Sequence, residues 1–573
     1  MATELTWRAK GEAKRQSILG AIPEKWIIPD IPSPEEQQDV TGAYIQQFLN
    51  RREIEITESD AVDIVAETTS GSWTALEVAE AFCHRAALAH QLVSCLHEIF
   101  FEAAIEDAKR LDAYFAEHKA PIGPLHGLPI SLKDQFHVKG VETTMGYVGW
   151  INTFQGQPDD PRRGVEESEL VRELRNLGAV LYCKTSVPAT LMSGETVNNI
   201  IGYTWNPKNR NLSSGGSSGG EGALIALRGS PAGFGTDIGG SVRIPAGFNH
   251  LYGLRPSAGR MPYQGTANSM DGQSMIMSVI GPLAPTARTL TLLFKSVLGQ
   301  QPWNHDPLAL EIPWRESIVQ ETLSSIEQSK TGASGLAFAI MPFDGVGRIH
   351  PPIARGLKLV AQTLKRLGHK VIDWNPPSHV PAHALASKAY QLDGGTDLNH
   401  HFGLSGEVQA PQVIVAQGGT DMIASQIAAL NVSKREYQKQ YMDYWNSTAE
   451  LTGTGRPVDG FICPLASHAA VIPTQYDHVG YTTFVNVLDY TSISIPVTFA
   501  DKTVDRLPVD TPPSEAEPHI DWDYDADSYD GAPVGVQLVG RRLQEEKMLT
   551  LAQYIGEEIA KDHDVGRTLA SLA

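Results

Sequence analysis

SSGGSSGGEGALIALRGSPAGFGTDIGGSVR, residues 213–243, contains two glycine turns that carry serines, separated by an apolar segment long enough for a short helix. The first turn covers residues 215–220, the second covers residues 237–243, and the apolar segment covers residues 223–227. Because glycine has no Cβ, its backbone can turn sharply and bring N–H groups close to a bound group. Two such turns with serine hydroxyls predict a place where an oxyanion is held and a serine reacts.

Three other interpretations of this stretch are weaker. A flexible Gly/Ser linker is interrupted here by the apolar segment 223–227 and by Phe234. A phosphate-binding loop would need G-x-x-x-x-G-K-[ST], which does not occur in residues 213–243. A G-x-S-x-G nucleophile elbow formally matches residues 215–219, but residues 206–211, which precede it, are typical of a turn rather than of a strand.

Several motifs in a fixed order point to one family. They are GLPISLKD at 127–134, TLMSGET at 190–196, GGSSGG at 215–220 and GTDIGGSVRIPA at 235–246. In this order they strongly resemble the signature of the amidase signature hydrolases, and residues 190–196 are most similar to the fungal acetamidase-type branch. The resemblance extends from about residue 70 to the C-terminus.

The resemblance implies an amidohydrolase that cleaves a carboxylic amide to an acid and an amine or ammonia, without metal or cofactor. The reaction would pass through a covalent acyl-enzyme and a Ser-Ser-Lys relay. Ser241 would be the nucleophile, Ser217 would pass its proton on, and neutral Lys133 would be the base. The resemblance also implies a cis peptide between Gly216 and Ser217.

Further site residues also follow from the resemblance. The oxyanion hole would consist of the backbone N–H groups of Ile238, Gly239, Gly240 and Ser241. Hydrogen-bonding partners around the relay would be Ser218, Thr236, Asp237 and Arg243. The acyl-side pocket would be lined by Leu191, Met192 and Ser193, although Met192 is equally consistent with ordinary core packing.

Lys133 has two interpretations from the residues alone. It lies in a mostly apolar strand pattern, residues 129–136, where burial penalises the ammonium and lowers its pKa. A neutral lysine is a competent general base. The alternative is a structural ion pair with the neighbouring Asp134, and the family resemblance favours catalysis.

Composition narrows the function classes. The formal charge of −20 argues against nucleic acid or an anionic membrane as the main partner. The four cysteines, at positions 83, 95, 183 and 463, form no C-x-x-C pair, which argues against a disulfide framework and a structural zinc site. The sequence has no apolar run of about 18 residues, as a membrane-spanning helix would need, and its N-terminus lacks the apolar region of a secretory signal. We therefore expect a cytoplasmic protein.

The alternation of helical patterns with apolar strands predicts an α/β fold. The resemblance implies the amidase signature fold, with a central mixed, twisted sheet covered on both faces by helices, and suggests a homodimer. We expect residues 70–573 to form one catalytic domain and residues 1–69 a helical extension, with helices over 8–20 and 34–52. Residues 380–450 are expected to form a helical lid or one wall of a substrate funnel.

Other functions remain open from the sequence. A glutaminase-type amidotransferase subunit would use the same relay and hand ammonia to a partner. On the same fold, the bond cleaved could also be an ester, a lactam or a carbamate, or the chain could be a non-catalytic relative. A Ser-His-Asp site also stays open, because its members need only meet in space.

Overall fold

The computed structural model describes residues 6–330, 335–415, 418–507 and 519–572. Residues 1–5 of the predicted extension, residues 416–417 of the predicted lid segment, and residues 331–334, 508–518 and 573 of the predicted catalytic domain lie outside the described residues.

The described residues form thirteen strands, and eleven of them make one mixed sheet in the order β1-β3-β2-β6-β8-β7-β12-β13-β11-β9-β10. The strands are β1 (Leu96–Ile99), β2 (Pro129–Lys133), β3 (Val180–Thr185), β4 (Val197–Asn198), β5 (Gly202–Tyr203), β6 (Gly233–Asp237), β7 (Tyr252–Arg255), β8 (Val279–Ala284), β9 (Ala337–Ile340), β10 (Lys370–Asp373), β11 (Gly460–Pro464), β12 (Ser492–Phe499) and β13 (Pro533–Val539). Strand β2 runs parallel to both β3 and β6, whereas β6 pairs antiparallel with β8. Strands β4 and β5 pair only with each other within the described residues.

Helices flank this sheet. They are α1 (Trp7–Gly20), α2 (Ala43–Gln46), α3 (Arg51–Glu58), α4 (Ala61–Ser70), α5 (Ala75–Val93), α6 (Phe101–His118), α7 (Glu169–Asn176), α8 (Gly219–Ala226), α9 (Arg243–Phe248), α10 (Ala287–Gly299), α11 (Glu316–Lys330), α12 (Pro351–Arg366), α13 (Val380–Ala389), α14 (Thr396–Gly403), α15 (Ala424–Ser447), α16 (Ala449–Thr452), α17 (Gly480–Leu488) and α18 (Glu545–Leu572). In the part of the chain that is described, none of these helices combines the length and the apolarity needed to cross a membrane.

Local sequence signals explain several of these elements. Thr74 caps α5 in a capping box with Glu77, whose backbone N–H donates to the Thr74 hydroxyl over 3.1 Å. All five residues of β2 are buried, as expected for a strand that lies inside a sheet covered on both faces. This position places Lys133, the last residue of β2, in the interior of the protein.

The N-terminal residues fold differently from the prediction. The helix expected over 34–52 is wrong, because α2 begins only after Gly42, whose φ of +53° does not continue a helix. The next helix, α3, begins at Arg51 after Asn50, which caps it in a capping box with Glu53. Ile45 and Ile56 are nevertheless buried in the main hydrophobic core. The division of the chain at residue 70 stays a prediction.

Candidate active site

The two glycine turns of residues 213–243 lie against each other. The first contains a cis peptide between Gly216 and Ser217, as the resemblance implied, and leads into α8. The second follows β6 and leads into α9. The backbone N–H of Ser218 donates to the carbonyl oxygen of Ser241 over 3.2 Å, so the two turns are joined directly.

Lys133 lies beneath the first turn. Its side chain is fully buried, and Nζ is 2.8 Å from Ser217 Oγ and 2.7 Å from Thr236 Oγ1. Burial lowers the pKa of Lys133 to about 7, although the nearby carboxylates of Asp237 and Glu221 act in the opposite direction. A substantial fraction of this amine is therefore neutral near pH 7 and able to accept a proton.

The alternative that Lys133 pairs with Asp134 is wrong. The carboxylate of Asp134 is 2.6 Å from Lys184 Nζ, and its other oxygen is 3.3 Å from His97 Nε2. Asp134 lies in the turn that follows β2, and its carboxylate contacts Lys184 and His97 while Lys133 Nζ contacts Ser217 and Thr236. The amine of Lys133 therefore contacts Ser217 of the first turn and not Asp134.

Ser241 opens into a cavity. The cavity has a volume of about 180 Å³, and the backbone of its wall includes Gly216, Ile238 and Gly239. Within the described residues, the Ser241 hydroxyl makes no hydrogen bond, and the N–H groups of Ile238, Gly239 and Ser241 donate to no protein acceptor. One hydroxyl and three unengaged donors therefore lie at the same end of the cavity.

Gly240 does not belong with these donors. Its N–H donates to Asp237 Oδ1 over 2.8 Å, so this backbone group is already engaged. The predicted oxyanion hole of four N–H groups stays a prediction, and among the described residues three of the four are unengaged. Gly240 instead provides a φ of +125°, and a Cβ at this position would overlap Thr482 Oγ1.

A buried ion pair holds the second turn in place. Arg243 Nε is 3.0 Å from Asp237 Oδ2, and both side chains are fully buried. The same guanidinium donates to Asn486 Oδ1 over 2.7 Å and to Gln537 Oε1 over 2.9 Å, which connects the turn to α17 and β13. Burial raises the pKa of Asp237, but the guanidinium of Arg243 outweighs it and holds that pKa well below its usual range.

The hydroxyls of Thr236 and Ser218, two more predicted partners of the relay, differ in their hydrogen bonding. The Thr236 hydroxyl accepts from Lys133, as described above. The Ser218 hydroxyl is buried and has no hydrogen-bond partner among the described residues. Ser218 instead contacts the second turn through its backbone N–H, which donates to the carbonyl oxygen of Ser241, and its role beside the relay stays a prediction.

The rest of the cavity wall comes from several distant parts of the chain. Leu191, Met192 and Ser193 line it, where the resemblance implied a pocket. Ile244, Val479 and Thr483 line it as well. The segment expected to form a lid or funnel wall also lines it, through residues that were not singled out from the sequence, namely His383, Ala386, Ser387, Tyr390, Gln391 and Ile414. Their spacing along α13 follows one helical face, but that face is recognisable only once the partner surface is known.

Tyr390 connects this wall to the oxyanion turn. Its hydroxyl donates to the carbonyl oxygen of Ile238 over 2.6 Å. Tyr390, Met192 and Ile238 also line a second cavity of about 270 Å³. In the described part of the chain, no cluster of three histidine, cysteine or acidic side chains is arranged to hold a metal ion.

Comparisons with known proteins agree on one family. Residues 77–549 match the family model described as Amidase. The chain is 46% identical to an acetamidase of Aspergillus oryzae, over 96% of this chain and 98% of that protein. It is 43% identical to an acetamidase of Emericella nidulans, over the same shares of the two proteins.

A solved structure shares the fold. Fatty acid amide hydrolase superimposes with a TM-score of 0.85 at 32% sequence identity, covering 96% of this chain and 94% of that one. The α/β architecture with a large mixed sheet flanked by helices is therefore the amidase signature fold, as the sequence predicted.

The turn geometry predicts that Gly240→Ala lowers the reactivity of Ser241. A Cβ there would push the turn away from Thr482 and require a positive φ, which costs about 1–3 kcal/mol for a non-glycine residue. The rate of labelling by a fluorophosphonate should fall at least about tenfold, because a displaced turn moves the N–H groups of Gly239 and Ser241 away from the bound oxygen. Thermal unfolding measures the accompanying loss of stability.

Gly239→Ala is the matched control. A Cβ at Gly239 would lie 3.2 Å from the Tyr390 hydroxyl, and no positive φ is required. Its labelling rate should change less than that of Gly240→Ala. Equal rates for the two variants would contradict the assigned geometry of the turn.

Proposed function

This chain belongs to the Amidase family and hydrolyses carboxylic amide C–N bonds, and on that premise we propose that it acts on short, uncharged aliphatic amides through Ser241, Ser217 and Lys133. The observation that carries the proposal is the fully buried Lys133, whose Nζ is 2.8 Å from Ser217 Oγ in the turn that lies against Ser241.

In the proposed first step, Ser241 Oγ forms a bond to the carbonyl carbon of the amide. The proton of Ser241 passes to Ser217, and the proton of Ser217 passes to neutral Lys133. A serine hydroxyl is too weak an acid to lose its proton to water at neutral pH, so the lysine is needed as the acceptor. The carbonyl oxygen becomes an oxyanion, for which the N–H groups of Ile238, Gly239 and Ser241 are the donors.

In the second step, the C–N bond breaks. The proton held by Lys133 returns through Ser217 to the nitrogen, which leaves as ammonia or an amine. Water then attacks the ester on Ser241 and gives its proton to the same relay. Collapse of the second oxyanion releases the carboxylic acid and restores Ser241.

The size and polarity of the cavity support short substrates. About 180 Å³ leaves room for a small acyl group, and the lining around Ser241 includes Met192, Ile238 and Ile244, which are apolar. The two fungal relatives named acetamidase cover nearly the whole chain, which supports the same substrate class.

Four further statements stay predictions. They are the homodimer, the lid function of residues 380–450, the division between residues 1–69 and 70–573, and the cytoplasmic location. All four cysteines are buried and unpaired, which supports a reducing compartment. Residues of α13 line the cavity, which supports a wall or lid function for that segment.

Covalent labelling tests the assignment of Ser241. A fluorophosphonate should add one probe molecule to the wild-type protein and none to Ser241→Ala, because only an activated serine reacts. Lys133→Ala should keep the labelling site but react at least about a hundredfold more slowly, the typical contribution of a general base. Intact-mass measurements over time give both the number of probe molecules added and the rate of labelling.

Ser325→Ala, on the exposed face of α11, is the matched control and should label like the wild type. An adduct that persists in Ser241→Ala would overturn the assigned nucleophile. A wild-type rate in Lys133→Ala would overturn the assigned base.

The pH dependence tests the protonation state of Lys133. Only the neutral amine can accept a proton, and burial lowers its pKa to about 7, so kcat/KM for an uncharged amide should rise with pH through about 7. Well below that value, it should fall about tenfold per pH unit. Steady-state rates measured in assays between pH 5 and 9 define this rising limb of the kcat/KM profile.

Glu221→Gln is the control for this profile. Burial raises the pKa of Glu221 to about 8, so this carboxyl also titrates near neutrality beside Lys133. The limb should persist in Glu221→Gln and move to lower pH, because the carboxylate of Glu221 no longer raises the pKa of Lys133. Its disappearance there would assign the limb to Glu221 instead.

Substrate length tests the proposed specificity. In the series acetamide, propionamide, butyramide and hexanamide, kcat/KM should fall once the acyl chain exceeds the cavity, by about tenfold or more for hexanamide. The corresponding methyl esters provide a control for the bond cleaved. A steady rise of kcat/KM from acetamide to hexanamide would contradict the short-chain preference.

A further inference from the structure

Gln135 lies directly beside the relay without touching the proposed serines. It follows β2 two residues after Lys133, and its side chain is buried. Its Oε1 accepts a hydrogen bond of 2.7 Å from the hydroxyl of Thr236, the residue to which Lys133 Nζ is bonded. Within the described part of the chain, the residues that line the Ser241 cavity do not include Gln135.

The neighbours of Gln135 determine which way its amide points. Nε2 donates to the backbone carbonyl of Ala267 over 2.8 Å, and a carbonyl oxygen can only accept. Nε2 also lies 3.1 Å from Asn268 Oδ1, whose own amide is oriented because its Nδ2 donates to the carbonyl of Thr266 over 3.0 Å. A flipped Gln135 amide would place oxygen against these acceptors, so Oε1 faces Thr236.

This orientation determines the role of Thr236. Its hydroxyl has a single proton, and Gln135 Oε1 can only accept, so that proton is directed to Gln135. Toward Lys133, the Thr236 oxygen can then only accept.

The same reasoning extends to Lys133. A neutral amine has two N–H groups and one lone pair. One N–H is used by Thr236, and Ser217 is the other hydrogen-bond partner of Nζ among the described residues. The second N–H and the lone pair are then left to face Ser217, and proton abstraction requires the lone pair to accept from the Ser217 hydroxyl.

We propose that Gln135 is a positioning residue that sets the direction of hydrogen bonding through Thr236 and Lys133, so that the lone pair of neutral Lys133 is directed to Ser217. The inference rests on the proposed function, in which Lys133 is the base. Without Gln135, the Thr236 hydroxyl can rotate and donate to that lone pair. Thr236 would then compete with Ser217 for the lone pair of Lys133.

A double-mutant cycle tests the inference. Gln135→Met removes the amide while keeping a side chain of similar length, and Thr236→Val removes the hydroxyl through which Gln135 acts. We expect Gln135→Met to lower kcat for acetamide about tenfold or more, within the range of general-base effects. KM should change less than about twofold, because Gln135 makes no part of the cavity wall.

The double variant is decisive. If Gln135 acts through Thr236, Gln135→Met added to Thr236→Val should cause no further loss of kcat. Losses that multiply in the double variant would show an ordinary structural role and overturn the inference. Thermal unfolding of each variant separates loss of folded protein from loss of kcat.

Gln135→Glu tests the inference by a second route if Gln135→Met folds poorly. One carboxylate oxygen can still accept from Thr236, but the other faces the Ala267 carbonyl and Asn268 Oδ1, which are also acceptors, so we expect a loss of stability. Because the acceptor for Thr236 is kept, kcat at high pH should still exceed that of Gln135→Met. Its negative charge would add to those of Asp237 and Glu221, which face Lys133, and raise the pKa of Lys133. The limb of kcat/KM should therefore move to higher pH, and an unmoved limb with no rescue would contradict the inference.

Lys133→Ala, measured alongside, distinguishes a failure of the proposed function from a failure of the inference about Gln135. If Lys133→Ala keeps wild-type activity, the proposed function fails and this inference fails with it. If Lys133→Ala loses activity while Gln135→Met keeps the wild-type kcat, only the inference about Gln135 fails.

Discussion

The burial of one amino group is the constraint around which this site is built. Lys133 Nζ is removed from water between Ser217 and Thr236, and the loss of hydration is what lowers its pKa to about 7. A solvated lysine would stay protonated and could not accept a proton at neutral pH. The strand that holds it must therefore be buried, as all five residues of β2 are, between the neighbouring strands β3 and β6 of the sheet.

Near this amine, buried ion pairs and hydrogen bonds hold the turn that carries Ser241. The turn of Ser241 is held by the fully buried pair of Asp237 and Arg243, and Arg243 extends the connection to Asn486 and Gln537. Removing one partner of this buried pair would leave an uncompensated charge, so the pair is costly to break. The contacts of Arg243 with Asn486 and Gln537 then connect the turn to α17 and β13. The three unengaged N–H groups of the turn owe their placement to this connection.

Much of the site could be predicted because its chemistry is local. Serines 217 and 241 lie in glycine turns that are recognisable in the sequence, and Lys133 lies in an apolar strand pattern. The α5 cap at Thr74 follows a short-range rule of the same local kind. The helix expected over 34–52 failed for a local reason as well, because Gly42 and Asn50 interrupt it.

The sequence by itself determined the glycines that allow the two turns and the α/β class, because each depends on neighbours in the chain, whereas the proposed relay of Lys133, Ser217 and Ser241 followed from the family resemblance. Tertiary structure alone decided that Lys184 rather than Lys133 pairs with Asp134, that the Gly240 N–H is taken by Asp237, and that α13 closes the cavity. The physical reason is that burial, hydrogen-bond direction and cavity shape arise between segments that meet only in the folded chain.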